Sequence, residues 1–351
     1  MRAQGTATLT RSGTAPARRP GGEPGGRIDG GNTMPRVRAA TVRDGEVVVE
    51  EHPDPSPEAG EVLVRVRAAG LNGADMLQRR GRYPAPPAWP PDIPGLELAG
   101  DVVACGRGAV RFAEGDRVMA VVGGGGQGEL CAVHERGATP VPETLDWPSA
   151  GGFPEVFATA DDALFSQAEL EPGERLLVHG AAGGVGTAAV QLGRAAGARV
   201  TATVRREELR AAVERLGAER AIDPGRFEEH GPFDVVLELV GAPNFPANLS
   251  ALATGGRIVV IGVGGGPKVE ALSLVALMGK RARLMGSTLR ARPLEEKALV
   301  TRRVERRVLP LVESGAVTVP VGETFPLERV AEAYERFEAG GKLGKVVLTF
   351  D

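Results

Sequence analysis

Two hydrophobic rhythms divide this chain. Over residues 37–42, 46–50, 61–67, 97–104, 116–122 and 129–133, apolar positions alternate with polar ones or run β-branched, with glycines between the runs. A period of two is the signature of strands that lay one face on a core. Asp44-Gly45 between the first two runs signals a hairpin, and the prolines at 53, 55 and 57 mark a linker. Short strands joined by glycine turns predict a partly open barrel or sandwich. From about Pro154 the rhythm becomes strand then helix: helix 158–168, a strand at 176, a helix after Gly184, strand 198–204, helix 207–216 closed by Gly217, and a short strand near Ala221. Strand 233–239, a helix near 244–253, strand 256–262 and a last strand at 281–288 continue it. That alternation is what a doubly wound parallel sheet requires. Residues 294–312 read as a long charged helix and 345–350 as a final strand, both returning to the first domain. The fold expected is α/β, with residues 34–155 mostly β, 156–289 a doubly wound parallel-sheet domain, and 290–351 going back to the first.

The second rhythm turns on Leu176-Leu-Val-His-Gly-Ala-Ala-Gly183-Gly184-Val-Gly186-Thr-Ala-Ala-Val-Gln-Leu192, an apolar run, then glycines, then small residues at helical spacing. It reads as strand, tight turn, helix. A diphosphate laid across such a turn needs backbone N–H groups aimed at it and no Cβ in the way, which explains Gly183, Gly184 and Gly186. The helix N-terminus adds a field that favours the anion. Val185, Ala188, Ala189, Leu192 and Ala196 then follow the i, i+3, i+4, i+7 rhythm and are small enough for the helix to lie close on a sheet. In a chain with 50 glycines an ordinary turn can look similar, so context decides. The run at 198–204 falls where the next parallel strand belongs, and its end is where an adenosine ribose lies. An acid there would bind the 2′-hydroxyl of NAD. The chain has Arg205 and Arg206 instead, cations suited to a 2′-phosphate. NADPH is the cofactor this implies; the alternative is that both arginines pair with Glu207 and Glu208.

Composition narrows the classes. The 351 residues suit two domains, and 42% hydrophobic residues supply a core despite only 4% aromatics. A formal charge of −3 and no evident basic face argue against nucleic acid or an anionic membrane as partner. No apolar run is long enough to span a bilayer. Two cysteines, Cys105 and Cys131, cannot build a disulfide framework and suit a reducing compartment, so a cytoplasmic location is expected. Residues 1–33 hold eight glycines, three prolines and five arginines, with only Leu9 and Ile28 as large aliphatics. Such a stretch cannot bury enough to fold and is expected to be a disordered tail, with Met34 an alternative start.

Several ordered motifs carry a family resemblance. They are Ala69-Gly-Leu-Asn72-Gly-Ala-Asp75, Gly81-Arg-Tyr83, Pro94-Gly-Leu-Glu97-Leu-Ala-Gly100, Gly115-Asp-Arg-Val118, the Ala181 to Gly186 turn, and Gly344-Lys345-Val-Val-Leu348. Through them, residues 34–351 resemble the zinc-free quinone oxidoreductases, the zeta-crystallin-like branch of the medium-chain dehydrogenase/reductase superfamily. Gly124-Gly-Gly-Gln127 and Pro154-Glu-Val-Phe-Ala-Thr159-Ala are most similar to the tumour-suppressor-inducible type within that branch. The resemblance implies a GroES-like catalytic domain, a Rossmann cofactor domain, an active site in the cleft between them, and a homodimer. Strand 281–288 agrees with the last point, since as the end of its sheet it would leave an unpaired edge.

Zinc-dependent relatives place a cysteine where this chain has Asn72 and a histidine where it has Leu96, so two catalytic zinc ligands are missing. A four-cysteine structural site cannot be built from two cysteines, and His52, His134, His179 and His230 show no ligand spacing and read as surface or strand-end residues. No metal is expected. Without a Lewis acid nothing lowers an alcohol's pKa, whereas an electrophilic quinone or enone needs none. Tyr83 matches the tyrosine this family places near the cleft and is the candidate proton donor or carbonyl hydrogen-bonder; the alternative is a loop tyrosine packed between prolines. Asn72 and Gln127 are amides for orienting substrate or the nicotinamide ribose, or else satisfied turn residues. Asp75 and Glu97 hold local structure, Glu97 beside an arginine. Tyr334 lies in the stripe Val330, Tyr334, Phe337 and belongs to the core. Matching positions give the remaining cofactor contacts: Thr159 beside the nicotinamide, and Ala182, Val185 and Thr187 with the glycines of the diphosphate turn. Val240 and Gly241 follow the fourth strand, Gly262 and Val263 the fifth and Leu289 the last, while Lys345 returns to the cleft. The activity expected is reduction of a quinone by NADPH. Alternatives are enone or enoyl-thioester reduction in the same cleft, or a low-turnover nucleotide- or RNA-binding crystallin-like protein.

Overall fold

The computed structural model describes residues 36–351, so the expectations for the first 33 residues and Met34 lie outside the described residues. The strands in chain order are β1 (Arg36–Arg43), β2 (Glu46–Pro53), β3 (Glu61–Gly70), β4 (Glu97–Cys105), β5 (Arg117–Val121), β6 (Leu130–His134), β7 (Ala138–Pro140), β8 (Arg175–Val178), β9 (Arg199–Thr203), β10 (Arg220–Ile222), β11 (Phe233–Glu238), β12 (Leu252–Val260), β13 (Arg283–Gly286), β14 (Val321–Pro326) and β15 (Lys345–Thr349). The α-helices are α1 (Gly73–Arg79), α2 (Trp147–Gly151), α3 (Pro154–Asp161), α4 (Gly184–Ala195), α5 (Arg210–Arg215), α6 (Phe245–Ala251), α7 (Leu274–Lys280), α8 (Leu294–Arg307), α9 (Leu309–Glu313) and α10 (Val330–Ala339).

β1 and β2 form the expected hairpin, with Asp44 at φ 51° and Gly45 at φ 84° supplying the left-handed turn. An antiparallel sheet of order β14-β15-β3-β4-β5-β7, with β6 also on β3, includes one parallel pair, β14 with β15. The second sheet is wholly parallel, in the order β10-β9-β8-β11-β12-β13. Numbered within that sheet this is 3-2-1-4-5-6, the doubly wound dinucleotide order. α4 lies close on it as its small residues require: a Cβ on Gly193 would come within 2.7 Å of Leu176 Cδ2. Leu176, Val178, Val200, Leu237 and Val259 fill the interior and continue into Val300, Val304 and Val308 at the end of α8. Each such side chain, fully buried, contributes about 1.5–3 kcal/mol.

Two expected helices depart from expectation for backbone reasons. The helix expected at 158–168 starts at Pro154, because a proline in the first turn lacks only an N–H that would be unpaired anyway. It continues beyond Asp161 as a π-helical turn, Asp162–Gln167. The charged helix expected at 294–312 is two helices meeting at Val308, since Pro310 cannot continue the ladder. Among the described residues no helix is long and apolar enough to cross a membrane.

Candidate active site

Glu97 opens β4 and is fully buried. Because β15 pairs with β3, Val347 opposite Gly70, Lys345 arrives beside it. The Lys345 ammonium lies 2.6 Å from Glu97 Oε1 and donates to the Leu71 carbonyl at 2.7 Å and Asn72 Oδ1 at 2.8 Å. Asn72 Nδ2 donates to Glu97 Oε1 at 2.9 Å, and Glu97 Oε2 accepts the Glu155 backbone N–H at 2.9 Å. One carboxylate thus ties the start of α3 to β4, β15 and the residue before α1. A Cβ on Gly70 would run into Glu97 and sit 2.8 Å from Lys345 Cε, which accounts for glycine there. The arginine expected beside Glu97 is corrected to Lys345, because a strand pairing between distant segments, rather than local sequence, chooses the partner. Lys345 does return to this junction, but all three of its N–H donors are engaged within the protein.

Asp75 accepts the N–H groups of Asn72 at 2.8 Å and Gly95 at 3.1 Å, and burial pushes its carboxyl up to about 6. Gln127 Nε2 donates to Asp75 Oδ2 at 3.4 Å, while its Oε1 accepts the Tyr334 hydroxyl at 2.8 Å. With both amide ends engaged and the residue fully buried, Gln127 stands here as a satisfied turn residue instead of facing a ligand. Tyr334 is in the core.

The glycine turn expected to hold a diphosphate lies after β8. No side chain caps α4, so the N–H groups of its first turn are left for an anion. A Cβ at Gly184 would meet Lys345 Cδ at 2.7 Å and Val156 Cγ1 at 2.8 Å, and one at Gly186 would press on Ala181. Ala182, Gly183, Gly184 and Val185 remain partly exposed, whereas Thr187 is buried and bonds back to the Gly184 carbonyl at 2.9 Å. Gly344 N–H donates to the Ala182 carbonyl at 2.8 Å, carrying the chain from this turn into β15. Glu238 Oε1 accepts the N–H groups of Val240 at 2.7 Å and Gly241 at 2.8 Å, shaping the loop after β11. Gly241 takes φ 115°, which favours glycine. Gly262 and Val263 follow β12, Leu289 is buried beyond β13, and Thr159 is buried on α3. Arg205 and Arg206 follow β9 and are exposed. Arg206 pairs with Glu208 at 3.3 Å; among the described residues Arg205 makes no ion pair. The turn therefore fits a dinucleotide, and two exposed cations follow the next strand.

Tyr83 is partly buried in the loop after α1. Arg290, itself buried, donates to the Tyr83 carbonyl at 2.9 Å, to the Gly123 carbonyl at 2.7 Å and to Gln78 Oε1, and its guanidinium lies 5.2 Å from the Tyr83 ring centre. Burial pushes the Tyr83 hydroxyl above its ordinary value, partly countered by Arg290. Glu155, in the first turn of α3, has an Oε2 sealed from solvent with no partner among the described residues. Burial and the Glu97 charge push its carboxyl up to about 8 against the pull of Lys345 and Lys297. Arg290 and Glu155 were not singled out from sequence; the signal available for Glu155 is its place four residues before Thr159 on one helix.

Leu96 is buried, and the Asn72 carboxamide is committed to Glu97 and Lys345. Among the described residues no group of three His, Cys, Asp or Glu is placed to hold a metal ion. His179, at the end of β8, is buried between Thr203 Oγ1 at 3.0 Å and Asn248 Oδ1 at 2.7 Å. A cavity of about 440 Å³ lined by His52, Trp89 and Cys131 contains none of the expected site residues.

Residues 58–169 match the alcohol dehydrogenase GroES-like domain family and residues 184–305 the zinc-binding dehydrogenase family. The quinone oxidoreductase of Rattus norvegicus is 32% identical over 305 residues, covering 84% of this chain and 90% of the relative; that of Homo sapiens is 31% identical with the same coverage. Polyketide synthase GfsB of Streptomyces halstedii is 35% identical over 303 residues, 83% of this chain but 5% of that protein. Among solved structures, an alcohol dehydrogenase superfamily protein from Novosphingobium aromaticivorans superposes with TM-score 0.79 at 30% identity, covering 90% of this chain and all of that one. A mycobacterial protein in complex with NADPH gives TM-score 0.79 at 28% identity, covering 89% and 99%. The chain belongs to the quinone oxidoreductase branch of the medium-chain dehydrogenase/reductase superfamily. It is an oxidoreductase of α/β fold, with a Rossmann sheet and a GroES-like, mostly β part.

Proposed function

We propose that this oxidoreductase transfers hydride from NADPH to a quinone without a metal. The observation that carries the reading is the pair Asn72 and Leu96, an engaged amide and a buried aliphatic side chain where zinc-dependent relatives place two ligands. With those two ligands replaced, the residues present do not fit a catalytic zinc, and an acceptor that is already electrophilic needs none. Bound NADPH would supply the hydride. The glycine turn and the α4 N-terminus would hold its diphosphate, Arg205 and Arg206 its 2′-phosphate, and Thr159 would lie beside the nicotinamide. Asn72, held by Glu97 and Lys345, would orient the substrate or the nicotinamide ribose. Tyr83, a phenol protonated at neutral pH, would donate a hydrogen bond to the acceptor oxygen. Residues 34–155 and 290–351 act as the catalytic part and 156–289 as the cofactor part. A homodimer is supported by β13, whose only strand partner among the described residues is β12, and by α7 beside it, where Leu274, Val275 and Met278 are 64%, 80% and 75% exposed. The cysteine usage supports a cytoplasmic location.

A second reading, reduction of an enone or enoyl thioester, is favoured by the likeness to a polyketide synthase segment. Rates of NADPH oxidation with a panel of quinones and a panel of enones separate the two. Turnover confined to enones would overturn the quinone reading.

A further inference from the structure

We propose that Glu155 is the acid that delivers the proton completing reduction, an inference that rests on the reductase reading above. Its placement is the primary ground. α3 points its first turn at the junction of the two sheets, where Glu97 Oε2 holds the Glu155 N–H at 2.9 Å. Thr159, the expected neighbour of the nicotinamide, lies one helical turn further on the same face. From that position Glu155 presents an oxygen that is shut off from solvent and bonded to nothing among the described residues. A buried polar atom without a partner is rare and calls for an explanation, and a missing acceptor is the explanation its place suggests.

The groups around it fit the role. Glu97 and Asp75 face it from the antiparallel sheet and α1, Lys345 from β15 and Lys297 from α8, while Tyr83 lies close enough for the Glu155 charge to raise its pKa. Burial and Glu97 outweigh the two lysines, so the carboxyl stays protonated to about 8. The other candidates serve less well. Asp75 has oxygens occupied by two backbone N–H groups, and the Tyr83 hydroxyl, raised by burial, is the weaker acid. The step balances simply. The hydride brings the acceptor two electrons and one hydrogen, leaving it an anion. The Glu155 O–H bond breaks as an O–H bond forms on the acceptor oxygen. Lys297 and Lys345 stabilise the carboxylate left behind, and water returns the proton once the product has gone, reaching the carboxyl from the side on which Glu155 is partly exposed.

The test pairs single-turnover kinetics with a readout independent of turnover. In the unmodified protein the single-turnover rate should fall as pH rises through about 8. Glu155→Gln should slow it by about 10²-fold at neutral pH and remove that limb, with NADPH affinity little changed. Lys342, whose ammonium burial pushes down to about 8, is the control: Lys342→Met should keep the limb. In cofactor-free protein carrying ¹³C-carboxyl glutamate, one resonance should titrate near 8 and be absent from the Gln variant. Should that variant not fold, Glu155→Asp must keep the limb at a reduced rate, and the titration of the unmodified protein still stands. An active enzyme whose Gln variant keeps both rate and limb, or whose glutamates all titrate in the ordinary carboxylate range, overturns the role of Glu155. No turnover by the unmodified protein with either panel overturns the reductase reading, and this role with it.

Discussion

Replacing Lys345 by Met tests whether the junction between the two sheets depends on one buried ion pair. Methionine keeps the stem that lies against Gly184 and Gly152, so the change is confined to the ammonium and its three partners. Glu97 would keep two donors, Asn72 Nδ2 and the Glu155 N–H, yet lose its only cation within 4 Å among the described residues, while the Leu71 carbonyl and Asn72 Oδ1 would each lose a donor. Breaking a buried pair by removing one partner destabilises by about 3–5 kcal/mol. With roughly 2 cal/mol/K of unfolding entropy per residue over 351 residues, that corresponds to about 4–7 °C in Tm. The partner change Glu97→Gln should be similarly damaging. The double variant removes both charges and should recover part of the loss, with a coupling of about 0.5–3 kcal/mol. Calorimetry of the cofactor-free protein measures all three. A single Lys345→Met loss below about 1 kcal/mol, or a double variant equal to the sum of the singles, would refute the reasoning.

Four further outcomes are expected. Arg205→Ala with Arg206→Ala should weaken NADPH by at least about tenfold, each charged hydrogen bond contributing roughly 1.5–3 kcal/mol, and leave NADH nearly unchanged; titration of both cofactors checks this, and equal binding by the unmodified protein would contradict it. Purified protein should carry substoichiometric zinc, and prolonged chelation should leave its turnover intact. Tyr83→Phe should reduce single-turnover hydride transfer about fivefold, the loss of one neutral hydrogen bond of about 1 kcal/mol, without altering cofactor affinity. Val275→Glu with Met278→Glu places charges on the exposed apolar face of α7 and should convert a dimer to a monomer by sedimentation; a monomeric unmodified protein would remove that reading.

Much of the architecture was legible in the chain. Alternation at 37–133 and the strand-helix rhythm from Pro154 mark most strands of the hairpin and the two larger sheets, though not β7 or β14, because burial on one face of a strand or helix writes its period into the sequence. The glycine turn after β8 was equally plain, since close approach at Gly184 and Gly186 leaves no room for a Cβ. Where helices begin and break was less legible, as Pro154 and Pro310 show. What only tertiary structure decided is who meets whom. β15 inserts between β14 and β3, and that pairing sets Lys345 against Glu97 in place of an arginine. Gln127, which by residue type suited either a ligand or a turn, is turned inward onto Asp75 and Tyr334. Glu155 is an ordinary carboxylate in the sequence, and its raised pKa comes from burial beside Glu97. Local spacing encodes elements and backbone approaches, but charges buried between segments far apart in the chain take their properties from neighbours that only the packed fold brings near.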